Sequence, residues 1–199
     1  PGYYPLFSKL NVAGARIVGV KRRLDGPDLE HLETQAATSG ARMFFTQSLA
    51  HNPTGGSLTA AVAYGVLRIA AAHNLVVVED DPFADILPET VPRLASLDQL
   101  ERVIYIGSFS KTLAGSFRVG YVAASRERAA ELAELLLVTT VSTSSHNERI
   151  IFALIDQGQY LKHLRALRHR ISRATDETVK GLQRAGAKAS RPQAGGIYL

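Results

Sequence analysis

The sequence predicts an α/β fold built on a mainly parallel sheet with helices over it. Two observations carry that reading. Short apolar runs at 42–46, 75–78 and 103–106 alternate with helical segments of roughly 10–15 residues, the pattern of parallel strands joined by crossovers. Polar residues gather just after those runs: Asn52 after the first, Asp80 after the second, Ser108 to Lys111 after the third. In such sheets ligands sit beyond the carboxyl ends of the strands, so three loops are expected to converge on one crevice.

The elements follow in order. Pro1-Gly-Tyr-Tyr-Pro5 is a turn with two aromatics, a short helix covers Leu6 to Ala13, and Ala15 to Lys21 reads as a strand. Leu24-Asp-Gly-Pro27 is a loop, after which Asp28 can cap a helix running to Ala37. Arg42 to Thr46 is strand-like, and Gln47 to Gly56 is a polar loop holding His51-Asn-Pro-Thr-Gly-Gly56. A helix is expected over Leu58 to His73, with Ser57 or Thr59 as its cap. Leu75 to Val78 is a fully apolar strand that ends in Glu79-Asp-Asp-Pro-Phe83. Strands at 103–106 and 119–124 come next, then helices over Arg126 to Val138, Asn147 to Asp156 and Gln159 to Ala185.

Composition narrows the function classes. With 199 residues, 46% of them hydrophobic, the chain can bury a sizeable core as one or two domains. No apolar run approaches the ~18 residues of a membrane span, so no membrane partner is expected. Zero cysteines exclude disulfides and thiolate metal sites and fit a cytoplasmic protein. The six histidines show no pair at metal-ligand spacing, so no metal is expected. Much of the net charge of +5 lies between Lys162 and Arg173. There Leu161, Leu164, Leu167 and Ile171 recur at helical spacing, so the bases read as the solvated face of an amphipathic helix. No aromatics interleave with them as a nucleic-acid surface requires. The chain starts at Pro1 without a methionine and stops at Leu199 inside a strand-like run, as a piece of something longer would.

The chemistry centres on the stretch from Arg102 to Tyr121. The strand Val103 to Ile106 breaks at Gly107 into a polar loop holding Ser108, Ser110 and a single Lys111, with Arg118 seven residues beyond. A lone lysine at the end of a buried strand, hydroxyls beside it and an arginine behind it, suits covalent carbonyl chemistry next to a phosphate. The amine forms a Schiff base while hydroxyls and guanidinium hold the anion. Alone, Ser-Lys-Thr is also an ordinary surface turn. A P-loop needs Gly directly before Lys, where Ser110 stands.

Asn52-Pro-Thr-Gly55, Asp80 with Pro82 and Phe83, Ser108-Phe-Ser-Lys111 and Arg118 together resemble the fold-type-I pyridoxal-phosphate enzymes of the class I/II aminotransferase group. The resemblance covers essentially all of 1–199. Within the group, His51-Asn-Pro-Thr-Gly-Gly, Glu79-Asp-Asp-Pro-Phe-Ala-Asp and Gly107-Ser-Phe-Ser-Lys-Thr-Leu look most like the aminotransferase-like domain of MocR-type GntR regulators. Those carry a winged helix-turn-helix before this domain. Kynurenine/aminoadipate-type aminotransferases are similar, though less so.

The resemblance implies a three-layer, pyridoxal-phosphate-dependent transferase-like fold, that of aspartate aminotransferase. A cofactor-binding large domain would span 1–145, a helical connection with a long interdomain helix 146–185, and the first strand of a smaller C-terminal domain 186–199. It implies pyridoxal 5'-phosphate as cofactor, with Lys111 as Schiff-base lysine and proton shuttle. Asp80 would face the pyridine nitrogen, Asn52 would donate to the phenolate oxygen, and Tyr3 would stack on the ring. Ser108, Ser110 and Arg118 would hold the phosphate. Phe83 stands where the family usually has Tyr, so one hydrogen bond to the phenolate oxygen is missing. A homodimer is implied, with an amino acid or amine as substrate or effector. If the protein is a regulator, DNA is reached only through a winged-helix domain outside this chain. A glycine-rich phosphate loop is expected before Pro1 and a carboxylate-binding arginine beyond Leu199. Enzyme and effector sensor share every one of these residues; a phosphate-binding domain of unrelated chemistry is the third reading.

Overall fold

The computed structural model describes residues 2–87, 93–191 and 198. Helix α1 (Tyr4–Val12) places Pro5 in its first turn, where no amide hydrogen is needed. The strand expected over 15–21 is absent. Residues 15–21 form no ladder, because a groove about 970 Å³ in volume, lined by both, separates residues 15–20 from the nearest sheet edge at 42–47. The loop at 24–27 closes a minimal antiparallel hairpin, β1 (Arg22–Arg23) and β2 (Gly26–Pro27). Helix α2 (Leu29–Thr38) begins at Asp28, whose carboxylate accepts from the His31 amide at 3.1 Å.

Four strands make the main sheet: β3 (Met43–Thr46), β4 (Val76–Asp81), β5 (Val103–Ser108) and β6 (Gly120–Ala123), in that spatial order. The first three are parallel. Strand β6 returns antiparallel, since the connection from Phe109 to Val119 carries only a 3₁₀ turn (Gly115–Phe117) and no crossover helix. Helix α3 (Ala60–Ala72) forms the β3–β4 crossover and buries Ala63, Val66, Ile69 and Ala70, the spacing of one helical face. Thr59 is its cap; Ser57 turns away and its hydroxyl accepts from the Ala50 amide instead. A five-residue helix not expected from the sequence, α4 (Leu94–Asp98), sits between β4 and β5.

The main core lies between one sheet face and helices α2 to α4, around Leu32, Val66, Ile69, Val77, Leu94 and Val103. A second cluster gathers Leu49, Ala50, Phe83, Ile86 and Leu87, with Leu167, Ile171 and Tyr198 packed on it. Three helices follow among the described residues: α5 (Arg126–Thr140), α6 (Ser145–Asp156) and α7 (Gln159–Arg184). Along α7 the inward positions are Tyr160, Leu164, Leu167 and Ile171. Leu161, expected among them, is 60% exposed. Lys162, Arg165, His169, Arg170 and Arg173 face solvent, while Arg168 turns in to the Asp85 carbonyl. Residues 187–191 form no ladder, and 192–197 and Leu199 of the expected small-domain strand lie outside the described residues. Among the described residues no helix is long and apolar enough to cross a membrane.

Candidate functional site

Parallel strands present their carboxyl ends on one rim, and the rim of β3, β4 and β5 holds the polar residues singled out above. Side-chain alternation along β4 puts the middle one of its three terminal acids on the opposite face from the other two. Glu79 and Asp81 fall on the helix-covered face. Glu79 is fully buried, accepts the Ser48 hydroxyl, and accepts the amides of Leu94 and Ala95 at 2.9 and 2.8 Å, so its carboxylate starts α4. Asp81 pairs with Arg93 at 3.2 Å and accepts the Tyr105 hydroxyl at 3.0 Å. Burial pushes both carboxyls up; hydrogen bonds oppose it at Glu79, and Arg93 and Tyr105 oppose it at Asp81.

Asp80 falls on the opposite face. It is paired in register with Ile106 of β5, and Ser108, two residues further along that strand, shares its face. Burial raises the Asp80 carboxyl, and the Gln47 side-chain amide, donating at 3.0 Å, pulls it back. The other end of the Gln47 amide accepts from the Asn52 backbone N–H at 2.9 Å. The loop after β3 is thereby tied to the end of β4. That loop closes on itself: His51 and Gly55 bond through the backbone at 2.8 Å, and the Asn52–Pro53 peptide is cis.

The β5–β6 connection starts with Ser108, whose hydroxyl accepts from the Ser110 amide at 3.1 Å. Gly107 leaves room for the Tyr121 ring of the neighbouring strand, which a Cβ at this position would push aside. Lys111 follows with an exposed side chain. Its neighbour Thr112 is buried and held from α7: Tyr160 bonds the Thr112 hydroxyl at 3.0 Å, and His163 Nε2 meets the Thr112 carbonyl at 2.7 Å. Arg118 is exposed, with left-handed backbone at φ 53°, and Phe109 bonds Val119 beside it, which returns Arg118 towards Ser110.

Of the residues read from the sequence, Ser108, Ser110, Lys111 and Arg118 therefore share one connection, and Asp80 and Asn52 are joined to each other through Gln47. Tyr3, half exposed, lines the groove that also receives Asp80, Gln47, His51 and Arg22. Phe83 does not line it. It is 3% exposed in the second apolar cluster and meets Tyr198 edge-on with ring centres 6.0 Å apart. No sequence pattern singles out Gln47; its one signal is position, a polar residue directly after the last residue of β3.

The family description Aminotransferase class I and II matches residues 1–199. The chain is 33% identical over 120 residues to the HTH-type transcriptional regulator NorG of Staphylococcus aureus, spanning 60% of this chain and 27% of NorG. It is 26% identical over 203 residues to the HTH-type transcriptional regulator YisV of Bacillus subtilis, spanning 100% of this chain and 42% of YisV. The chain thus covers less than half of either regulator. Among solved structures, LysN, the alpha-aminoadipate aminotransferase of Thermus thermophilus, superposes with a TM-score of 0.89 and 27% identity. That alignment covers 98% of this chain and 52% of LysN, whose structure holds N-(5'-phosphopyridoxyl)-L-leucine. A mutant aspartate aminotransferase of Thermus thermophilus shares the fold, with a TM-score of 0.86 at 23% identity over 99% of this chain and 55% of its own.

Proposed function

The chain belongs to the class I and II aminotransferase family, and from that premise we propose that it binds pyridoxal 5'-phosphate through Lys111 and takes an amino acid or amine there. The observation that carries this reading is the common face of β4 and β5: Asp80 and Ser108 share it, and Lys111 follows three residues after Ser108. The side chains fit such a cofactor. Lys111 offers a primary amine to an aldehyde, and Asp80 offers a half-buried carboxylate to a ring nitrogen. Ser108, Ser110 and Arg118 offer hydroxyls and a cation to a phosphate.

When bound, the cofactor supplies an electron sink for negative charge developing at a substrate α-carbon. The chain's residues do the rest. The Asp80 charge would hold a proton on the ring nitrogen. The Asn52 side-chain amide would donate to the phenolate oxygen, and Tyr3 would cover the ring. Lys111 Nζ would carry a proton to and from the substrate α-carbon, and its exposure leaves it room to swing. LysN, solved with a pyridoxyl adduct of leucine, supports the choice of cofactor and of an amino acid as the partner molecule. Borohydride reduction of the cofactor-loaded full-length protein, followed by peptide mapping, is expected to find the label on Lys111. A label on another lysine ends this reading.

NorG and YisV are HTH-type transcriptional regulators, and this favours a second reading of the same site. Here the domain senses an amino compound without significant turnover, within a homodimer that reaches DNA through a winged-helix domain outside this chain. The test is a parallel assay of the full-length protein with a panel of amino acids and amines. A spectral change on adding the amine, with no carbonyl product accumulating, indicates a sensor; steady product indicates an aminotransferase.

A further inference from the structure

Among the described residues, Gln47 is the one side chain that touches both Asp80 and the backbone of Asn52, two positions that stand in different loops and carry different duties in the reading above. We propose that Gln47 is a positioning residue of the cofactor site, one amide that orients the Asp80 carboxylate and the Asn52 loop together. The inference rests on that reading and deepens it.

The geometry leaves the amide one orientation. A carboxylate can only accept, so the group facing Asp80 Oδ2 at 3.0 Å is the NH₂ end. A backbone N–H can only donate, so the group facing Asn52 at 2.9 Å is the oxygen. Both bonds are made at once, and Gln47 is 8% exposed, so water does not readily replace either. The backbone beneath is fixed as well. Arg22 donates to the Gln47 carbonyl at 2.7 Å and to the Thr46 hydroxyl at 3.1 Å, so the side chain starts from a held base. Gln47 therefore sets the distance between the loop of Asn52 and the strand end of Asp80, which the reading assigns to two different atoms of one ring.

The donor matters for charge as well as place. Burial raises the Asp80 carboxyl and the adjacent Asp81 charge adds to that, while the Gln47 bond favours the ionised form. The other titratable groups on this groove are His51 and Arg22 on the loop side, and Tyr3, Arg16, Arg42 and Arg128 around it. Removing the Gln47 donor leaves Asp80 easier to protonate, and a protonated Asp80 no longer holds a proton on a ring nitrogen. Cofactor affinity is then lost at a higher pH as the solution is acidified.

The test is binding of pyridoxamine 5'-phosphate to the full-length apo protein, wild type, Gln47→Glu and Gln47→Leu, by cofactor fluorescence from pH 5 to 9. This probe cannot bond covalently to Lys111, so it reads the non-covalent site alone. Gln47→Glu keeps an acceptor for the Asn52 N–H but sets a carboxylate against Asp80. Its affinity is expected to fall away at a pH about one unit higher than in wild type. Gln47→Leu removes both bonds and is expected to weaken binding about tenfold or more even at high pH, with the same upward shift. If Gln47→Leu does not fold, Gln47→Glu carries the test. Wild-type binding with equal pH midpoints in the variants, however weakened, overturns the positioning role, because packing alone lowers affinity at every pH alike. Wild type that fails to bind at any pH overturns the cofactor reading itself.

Discussion

Three adjacent carboxylates, Glu79, Asp80 and Asp81, show how little a residue's name settles. The sequence singles out Asp80, but only the fold reveals that Glu79 is a helix cap reaching residues 94 and 95, and that Asp81 belongs to Arg93 and Tyr105. These partners are twelve or more residues away along the chain, beyond any local pattern. Burial raises Glu79 above its unfolded value of about 4.3, so the folded chain holds that proton more tightly. The stability linked to it is full below that unfolded value and declines as pH climbs towards the folded value. Glu79→Gln escapes the decline, yet offers the Ala95 amide no acceptor, an expected loss of about 1–3 kcal/mol. The gap between wild type and variant in urea denaturation should therefore narrow from pH 4 to pH 7; a widening gap contradicts the assignment. Phe83 gives a second prediction. Its surroundings are apolar, so Phe83→Tyr buries a hydroxyl among Leu49, Ile86 and Leu87 and is expected to lower stability by about 1–3 kcal/mol. A neutral result places a hydrogen-bond partner beside that ring. At Gly107 an added Cβ meets the Tyr121 ring, and Gly107→Ala is expected to lose about 1–3 kcal/mol, part of it recovered by Tyr121→Leu. Additive losses in that double mutant would show the two do not touch.

Elements with local punctuation were legible. Asp28 and Thr59 announce α2 and α3, whose apolar residues recur at helical spacing. The segment at 15–21 misleads because its β-branched composition reports preference, whereas a ladder needs a neighbour within hydrogen-bonding distance. Helix α4 is invisible to local patterns because its start signal, Glu79, lies on another element. Tyr160 takes the buried place expected for Leu161, its hydroxyl satisfied by Asp85 at 2.5 Å and Thr112 at 3.0 Å. In this way α7 grips the connection that carries Lys111. Tyr160→Phe removes both bonds and is expected to destabilise the chain by about 1–2 kcal/mol, with faster amide exchange at 112–113. Unchanged exchange there would mean α7 does not hold the loop.

At the scale of the whole molecule, the sheet among the described residues leaves two strands, β3 and β6, as edges, and α5 buries none of its residues. Leu135, Leu137 and Val138 on α5 are 57%, 63% and 82% exposed. Open edges and apolar rows seek partners. The 199-residue chain by itself is expected to self-associate with rising concentration, and Leu137→Lys with Val138→Glu to lessen it. Sedimentation velocity reads the outcome, and a strictly monomeric chain at high concentration refutes it. The parallel sheet and the rim of polar residues were legible because both are written as alternation along the chain. The pairing of that rim through Gln47 was not, since it is a contact between loops.

The 26 residues of α7 have a mechanical consequence. At 1.5 Å per residue the helix is ~39 Å long, and its grip on the lysine connection lies at the near end, through Tyr160 and His163. Leu167, Arg168 and Ile171 also hold the helix to the segment around Asp85, so the free arm runs from Ile171 to Arg184, ~20 Å, and a tilt of ~5° sweeps its far end through ~2 Å. A tilt of the held half of α7 would therefore reach the Arg184 end enlarged, by leverage along the helix.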